Sequence, residues 1–251
     1  MKKQKKPSGR LILVVGVIAV ILLVRWLIPE KVNSISVDYK GGAAARAEAM
    51  GLDDSSFARM SGLTGTKVKD ITAAKSRTAD KISSQTGYFL LDGIRVGSKG
   101  SVTLELSARE PVAALKTSGT YVIVDENAAV LQQSAAPEGL MTVDGVKVRT
   151  TTNGAVLDDP EIAKALRVIR TVQSLGYKRF TGLMMRGNNE VMLYTTADVP
   201  VIINLNDDIK SSLEIATAML NASLSDGRIE VAGDYGYFVP NTEETYVNKG
   251  M

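Results

Sequence analysis

The chain has 251 residues, 30 basic and 27 acidic side chains, a net charge of +3, and neither cysteine nor histidine. Lack of histidine removes the commonest general base and metal ligand; lack of cysteine removes thiol nucleophiles, thiolate metal sites and disulfides. Five positive charges and no negative ones fall in the first ten residues, so the other 241 carry a net −2 and are not a basic nucleic-acid binder.

Those five charges are Lys2, Lys3, Lys5, Lys6 and Arg10, a basic tail over 1–10. An apolar run over 11–28 follows. Eighteen helical residues span roughly 27 Å, close to the thickness of a bilayer's hydrocarbon core. Arg25 and Trp26 sit at the outer end, where both suit the interface, and Pro29 stops the helix. Basic flanks stay cytoplasmic, so the amino terminus is expected inside and the rest of the chain outside. A cleaved signal peptide would share the basic start. Cleavage prefers small residues, however, and 24–29 reads Val-Arg-Trp-Leu-Ile-Pro, which favours an uncleaved anchor.

Beyond the anchor, 32–39 alternates as a half-buried strand. Residues 40–50 are rich in Gly and Ala without a strong pattern and read as a loop with room for one helical turn. Asp53-Asp54-Ser55-Ser56 opens a short helix that Gly62 ends. A second helix over 66–86 carries the stripe Val68, Ile71, Ala74, Thr78 and Ile82, with Gly87 as its cap. Two strands, 88–96 and 101–106, follow around Gly97-Ser98-Lys99-Gly100. The order β-α-α-β-β predicts a small sheet with two helices on one face. Arg109-Glu110-Pro111 then marks a seam, because Pro111 cannot donate to a ladder and keeps Glu110 extended.

Short strands are expected at 112–116, 121–124 and 129–132, and 133–157 reads as irregular. Asp158-Asp159-Pro160 starts a helix striped by Ile162, Leu166, Ile169 and Val172, which Gly176 closes. A meander over 180–186, 190–196 and 199–205 leads to a helix over 209–222. Final strands are expected at 228–232 and 235–239, before a polar tail over 241–251. The fold class is α+β, the second half being a mixed sheet with helices.

Three carboxylate pairs, Asp53-Asp54, Asp158-Asp159 and Asp207-Asp208, could serve acid–base cleavage of a wall polymer. Each lies at an expected helix start, where Asp caps free amides, and capping is the simpler reading. Ser61-Gly62-Leu63-Thr64-Gly65 superficially resembles a phosphate loop but joins two helices. Arg167, Arg170, Lys178, Arg179 and Arg186 form a basic cluster whose default is a solvated face. Tyr235-Gly236-Tyr237-Phe238-Val239 is an aromatic strand near the chain end. Such a strand can sit at a sheet edge and accept a partner's strand. A proline at Tyr237 is expected to abolish that pairing while leaving the fold largely intact.

Three stretches carry a family resemblance: Met60-Ser61-Gly62-Leu63-Thr64-Gly65, the run from Leu104 through Arg109-Glu110-Pro111-Val112-Ala113, and the hairpin from Tyr121 to Leu131. With the order of parts, they resemble the FtsQ/DivIB cell-division proteins. Two departures stand out: 40–50 is longer than the usual loop, and Ala128 replaces the hairpin glycine. The resemblance implies a cytoplasmic tail over 1–10, an anchor over 11–28, a POTRA domain over 32–109 and a β domain over 110–240. It implies a non-enzymatic divisome scaffold at the septum, with no cofactor, metal or small-molecule substrate. Its partners would be FtsB/DivIC-like and FtsL-like single-pass proteins. The partner surface would involve Ile229, Val231, Tyr235, Tyr237 and Phe238, with Gly62 and Leu63 on a localisation surface. An anchored wall hydrolase using carboxylates and a POTRA-type assembly or export factor are the alternatives.

Overall fold

The computed structural model describes residues 31–222 and 224–241. The expected basic tail, the anchor over 11–28 and the polar tail from 242 onward lie outside the described residues. Among the described residues no helix is long and apolar enough to cross a membrane. The chain divides into two compact units, 31–82 with 90–107 and 83–89 with 108–241.

The first unit is built on β1 (Ser34–Lys40), α1 (Ala43–Ala49), α2 (Asp54–Ser61), a 3-10 turn (Val68–Asp70), α3 (Ile71–Thr86), β2 (Phe89–Val96) and β3 (Ser101–Ala108), the end of α3 and the outermost residues Phe89 and Ala108 falling in the second. Its three strands lie in the order β1-β3-β2. β1 runs parallel to β3, with Val37 opposite Leu104 and Tyr39 opposite Leu106. Phe57, Leu63, Ile71, Ile82, Val102 and Leu104 are all at most 2% exposed and make its core. Elsewhere on this sheet charged side chains neutralise one another. Arg95 pairs with Asp38 and, at 2.6 Å, with Glu105, which also receives Lys40 at 3.0 Å. A Cβ at Gly93 would lie 2.6 Å from the Glu105 carboxylate, so the glycine makes room for this network.

The segment expected as a loop with one helical turn holds α1, two turns of Ala-rich helix. No side chain caps it, but Ala43 and Ala47 are buried one turn apart. Two small residues give a weak hydrophobic stripe, while alanine has the highest helix propensity.

The second unit continues with β4 (Ala113–Lys116), β5 (Tyr121–Val124), β6 (Val130–Ser134), β7 (Met141–Asp144), α4 (Pro160–Ser174), β8 (Phe180–Gly187), β9 (Glu190–Thr195), β10 (Val201–Asn204), α5 (Ile209–Leu220), β11 (Gly227–Ala232) and β12 (Tyr235–Pro240). Its described strands form one nine-stranded sheet, ordered β12-β11-β10-β9-β8-β7-β4-β5-β6. The stretch expected as irregular contains β7, which lies inside the sheet and runs parallel to β4 on one side and β8 on the other. Four residues with only Met141 and Val143 facing inward are too short for a clear period. Two neighbouring ladders, not propensity, hold this strand.

Ile162, Leu166, Ile169 and Val172 of α4 are at most 2% exposed and pack in one core with Val143, Leu183, Leu193, Val201, Ile203 and Ile229. Each such side chain is worth about 1.5–3 kcal/mol relative to full exposure. Leu213 and Ala216 of α5 join the same core. One end of the sheet is β6 and the other is β12, so among the described residues β12 has a neighbouring strand on one side only.

Candidate functional site

One carboxylate of each pair caps a helix start. Asp53 caps α2, accepting from Ser56 N at 2.8 Å and from the Ser56 and Ser55 hydroxyls at 2.7 and 2.8 Å. Those bonds, the Ser56 hydroxyl first, hold its carboxyl down to about 2. Asp159 caps α4 through Glu161 N at 2.9 Å, and Asp208 caps α5 through Ser211 N at 2.8 Å. Of their neighbours, Asp54 accepts from Val37 N at 3.2 Å, and Asp207 accepts from Gly233 N at 3.0 Å. Asp54 also faces Tyr39, whose hydroxyl is pushed up to about 12 by burial and then by that carboxylate.

Asp207 thereby pins the turn of the terminal hairpin. Gly233 and Asp234 form a two-residue connection, and Gly233 takes a φ of 57° that favours glycine. Beyond the turn β12 pairs antiparallel with β11, Ala232 opposite Tyr235 and Glu230 opposite Tyr237. At the far end Asn241 N donates to Asp226 O at 2.7 Å.

That last bond sets the phase of the ladder. Opposite residues in an antiparallel pair alternate between those that exchange amide bonds and those that do not. With Asn241 bonded across to Asp226, the bonded residues of β12 are Val239, Tyr237 and Tyr235. The N–H and C=O groups of Gly236 and Phe238, and the carbonyl of Pro240, therefore face away from β11. Two outward donors and three outward acceptors make up the free edge. Tyr237 donates inward, so a proline there would break the protein's own ladder. The expectation that it would selectively block a partner is corrected on this ground.

The side chains along the edge divide by face. Tyr235 is 79% exposed and Tyr237 48%. The Tyr237 hydroxyl donates to Glu230 at 2.9 Å, and Glu230 also holds Arg228 at 2.5 Å. The carboxylate of Glu230 is lowered, by Arg228 first, while its bond raises the Tyr237 hydroxyl. On the other face Phe238 packs against the core, and Gly236 lies under Met219 and Ile215 of α5. A Cβ at Gly227 would sit 2.3 Å from the Phe238 ring, so that glycine seats the ring. Ile229 and Val231 are 0% and 4% exposed and face the core. They support the edge from beneath, and the accessible groups are Tyr235, Tyr237 and the outward amides.

The other expected positions are placed as follows. Gly62, with φ 64°, caps α2, while Leu63 is 2% exposed and belongs to the core. A localisation surface at this turn would therefore not include the Leu63 side chain. The seam is an anchor point within the second unit. Arg109 N donates to Tyr88 O at 2.8 Å, and the Arg109 guanidinium meets Asp125 at 3.4 Å with both side chains largely buried. Asp125 in turn accepts from Asn127 N and Ala129 N, each at 2.8 Å, and so shapes the β5–β6 turn. Glu110 is exposed and Pro111 half-buried. In the basic cluster, Arg167 donates to Leu205 O and Arg179 to Leu220 O, which ties both to the backbone. Sequence reading missed Gly227, the Arg228–Glu230 pair and the bond from Gly233 N to Asp207, which it had named only as one of a carboxylate pair. The Gly-Asp turn was the one local signal for this hairpin.

No family model matches the chain, and no curated protein matches it in sequence. Among solved structures it is similar to the major extracytoplasmic domain, in its trans isomer, of the bacterial cell-division protein DivIB from Geobacillus stearothermophilus. The two are 15% identical, the match covers 46% of this chain and 93% of that one, and the TM-score is 0.34. At that score the overlay does not establish a shared topology.

Proposed function

We propose that this chain is a membrane-anchored, non-catalytic docking protein of a bacterial division assembly. It binds a single-pass partner of the FtsB/DivIC type outside the membrane, by strand addition to β12, and works alongside an FtsL-like protein at the septum. The observation that carries the binding mode is the free edge, with five outward backbone groups between Gly236 and Pro240. The cell-division reading rests on the order of parts and on the three motif stretches around Gly62, Arg109-Glu110-Pro111 and Asp125. One carboxylate of each pair serves as a helix cap, which supports the docking reading over the carboxylate hydrolase.

Five backbone hydrogen bonds at about 0.5–1.5 kcal/mol each give roughly 2.5–7 kcal/mol. Association costs reduce that further. A contact this weak acts well only between proteins held in one membrane, where tethering raises the effective concentration. Depleting the protein from its cell is expected to give undivided filaments. Normal septation after complete depletion would overturn the division role. The binding mode is tested separately, by mixing the chain with the partner's extracytoplasmic segment.

A further inference from the structure

A groove of about 420 Å³ lies in the second unit, along the first three turns of α4 and under the β5–β6 turn. Its floor is apolar: Ala128, Leu157 and Leu166 are 6%, 7% and 2% exposed. Val156 stands as one wall, 63% exposed despite its aliphatic side chain. The rim is charged. Glu126 and Asp158 are exposed carboxylates and Arg170 an exposed guanidinium, and among the described residues none of these three side chains has an ion-pair or hydrogen-bond partner. Asp159 adds a third carboxylate, already bound to Glu161 N.

An apolar floor explains little by itself, since Leu157 and Leu166 also serve the core. The combination is more informative. A large aliphatic side chain left in water beside unneutralised carboxylates matches a ligand with one apolar and one basic side chain. The volume falls within the ordinary range for a bound ligand, about 300–1,000 Å³. Three carboxylates against one guanidinium set the sign.

We infer that this groove is a second docking site, for an extended peptide segment of a partner protein that places an aliphatic side chain over Leu166 and a basic one between Glu126 and Asp158. It stands apart from the strand-addition edge. The groove is built on the β5–β6 hairpin at one end of the nine-stranded sheet and β12 is the other end. Eight strand intervals lie between the two ends, a path of about 38 Å measured along the sheet. One chain can therefore hold two partners at once.

The absence of cysteine gives a direct test. Ala163→Cys places a single thiol in the groove of the full-length chain, at an exposed lining position. The acetylated, amidated peptides Cys-Leu-Lys, Cys-Leu-Glu and Cys-Gly-Lys compete for it in a thiol–disulfide buffer. Mass spectrometry reads the adduct ratios, with the urea-unfolded chain as baseline. The inference predicts about five- to tenfold enrichment of the Leu-Lys adduct over Cys-Leu-Glu, the scale of one or two exposed ion pairs, and a similar enrichment over Cys-Gly-Lys, the scale of a partly buried leucine. Adding Glu126→Gln and Asp158→Asn, which leave the Asp159 cap in place, should abolish the Lys-over-Glu preference while keeping Leu over Gly. Ratios equal to the unfolded baseline overturn the site. A preference for leucine that ignores charge overturns the basic-peptide assignment.

Discussion

Replacing Asp125 by Ala should cost far more than replacing Arg109 by Met, although the two form one ion pair. The Asp125 side chain is 5% exposed and that of Arg109 11%. Removing the carboxylate strands a guanidinium in a largely buried site, which for a broken buried pair costs about 3–5 kcal/mol. It also releases Ala129 N, an amide of a residue that is 1% exposed, at about 1–3 kcal/mol, whereas Asn127 N can turn to water. The sum, about 4–8 kcal/mol, reaches the lower part of an ordinary domain's stability of about 5–15 kcal/mol. Arg109→Met leaves Asp125 with both backbone donors at 2.8 Å, so its charge stays solvated by amides and the cost is about 1–2 kcal/mol. Asp125→Asn should fall between, because Oδ1 can still accept. Urea titration of the full-length chain, followed by far-ultraviolet circular dichroism, ranks the three. An Arg109→Met loss equal to or larger than that of Asp125→Ala would refute the reasoning.

The remaining predictions concern local features. The Asp53 carboxyl lies at about 2 against an ordinary 3.8. A depressed carboxyl stabilises fully above its unfolded value, and that share is lost as pH falls through the folded one. Stability should therefore drop between about pH 4 and pH 2. Asp53→Asn should flatten that slope in acid denaturation; an unchanged slope argues against the cap. Gly227→Ala must displace both the Phe238 ring and the Val239 carbonyl, which its Cβ would meet at 2.3 and 2.5 Å, and a loss of about 1–3 kcal/mol is expected. Ring resonances of Phe238 that stay put would contradict the seating. Ala128 holds a φ of 61°, which costs an L-residue about 1–2 kcal/mol. Ala128→Gly relieves that strain but removes a buried methyl, at a cost of about 0.8 kcal/mol. The melting temperature should stay nearly constant, whereas a large drop would show that the left-handed turn is not strained.

Helices were legible where chemistry marks their ends. Asp53, Asp159 and Asp208 cap as their positions suggested, Pro160 opens α4, and Gly62 and Gly87 take positive φ at helix ends. The long amphipathic stripe of α4 and the meander β8–β10 were equally plain. Two elements were not. α1 buries two alanines, too little hydrophobicity to write a period, and β7 owes its shape to ladders with β4 and β8, far away in sequence. For the edge, the aromatic alternation of Tyr235, Tyr237 and Phe238 pointed to the right strand. It could not say which amides face out, because that follows from the register across β11. Nor could it show that Ile229 and Val231 lie beneath the sheet surface, since burial depends on α4 and α5 packing over them.

The central claim is that Gly236 and Phe238 present free backbone amides to a partner strand. Residue-resolved amide hydrogen exchange on β12 of the full-length chain, with and without the FtsB/DivIC-type extracytoplasmic segment, measures it directly. In the free protein, Tyr237 and Val239 should exchange slowly and Gly236 and Phe238 fast. Adding the segment should slow Gly236 and Phe238 and leave the other two as they were. Fast exchange at Gly236 and Phe238 while the segment is bound would contradict strand addition at this edge.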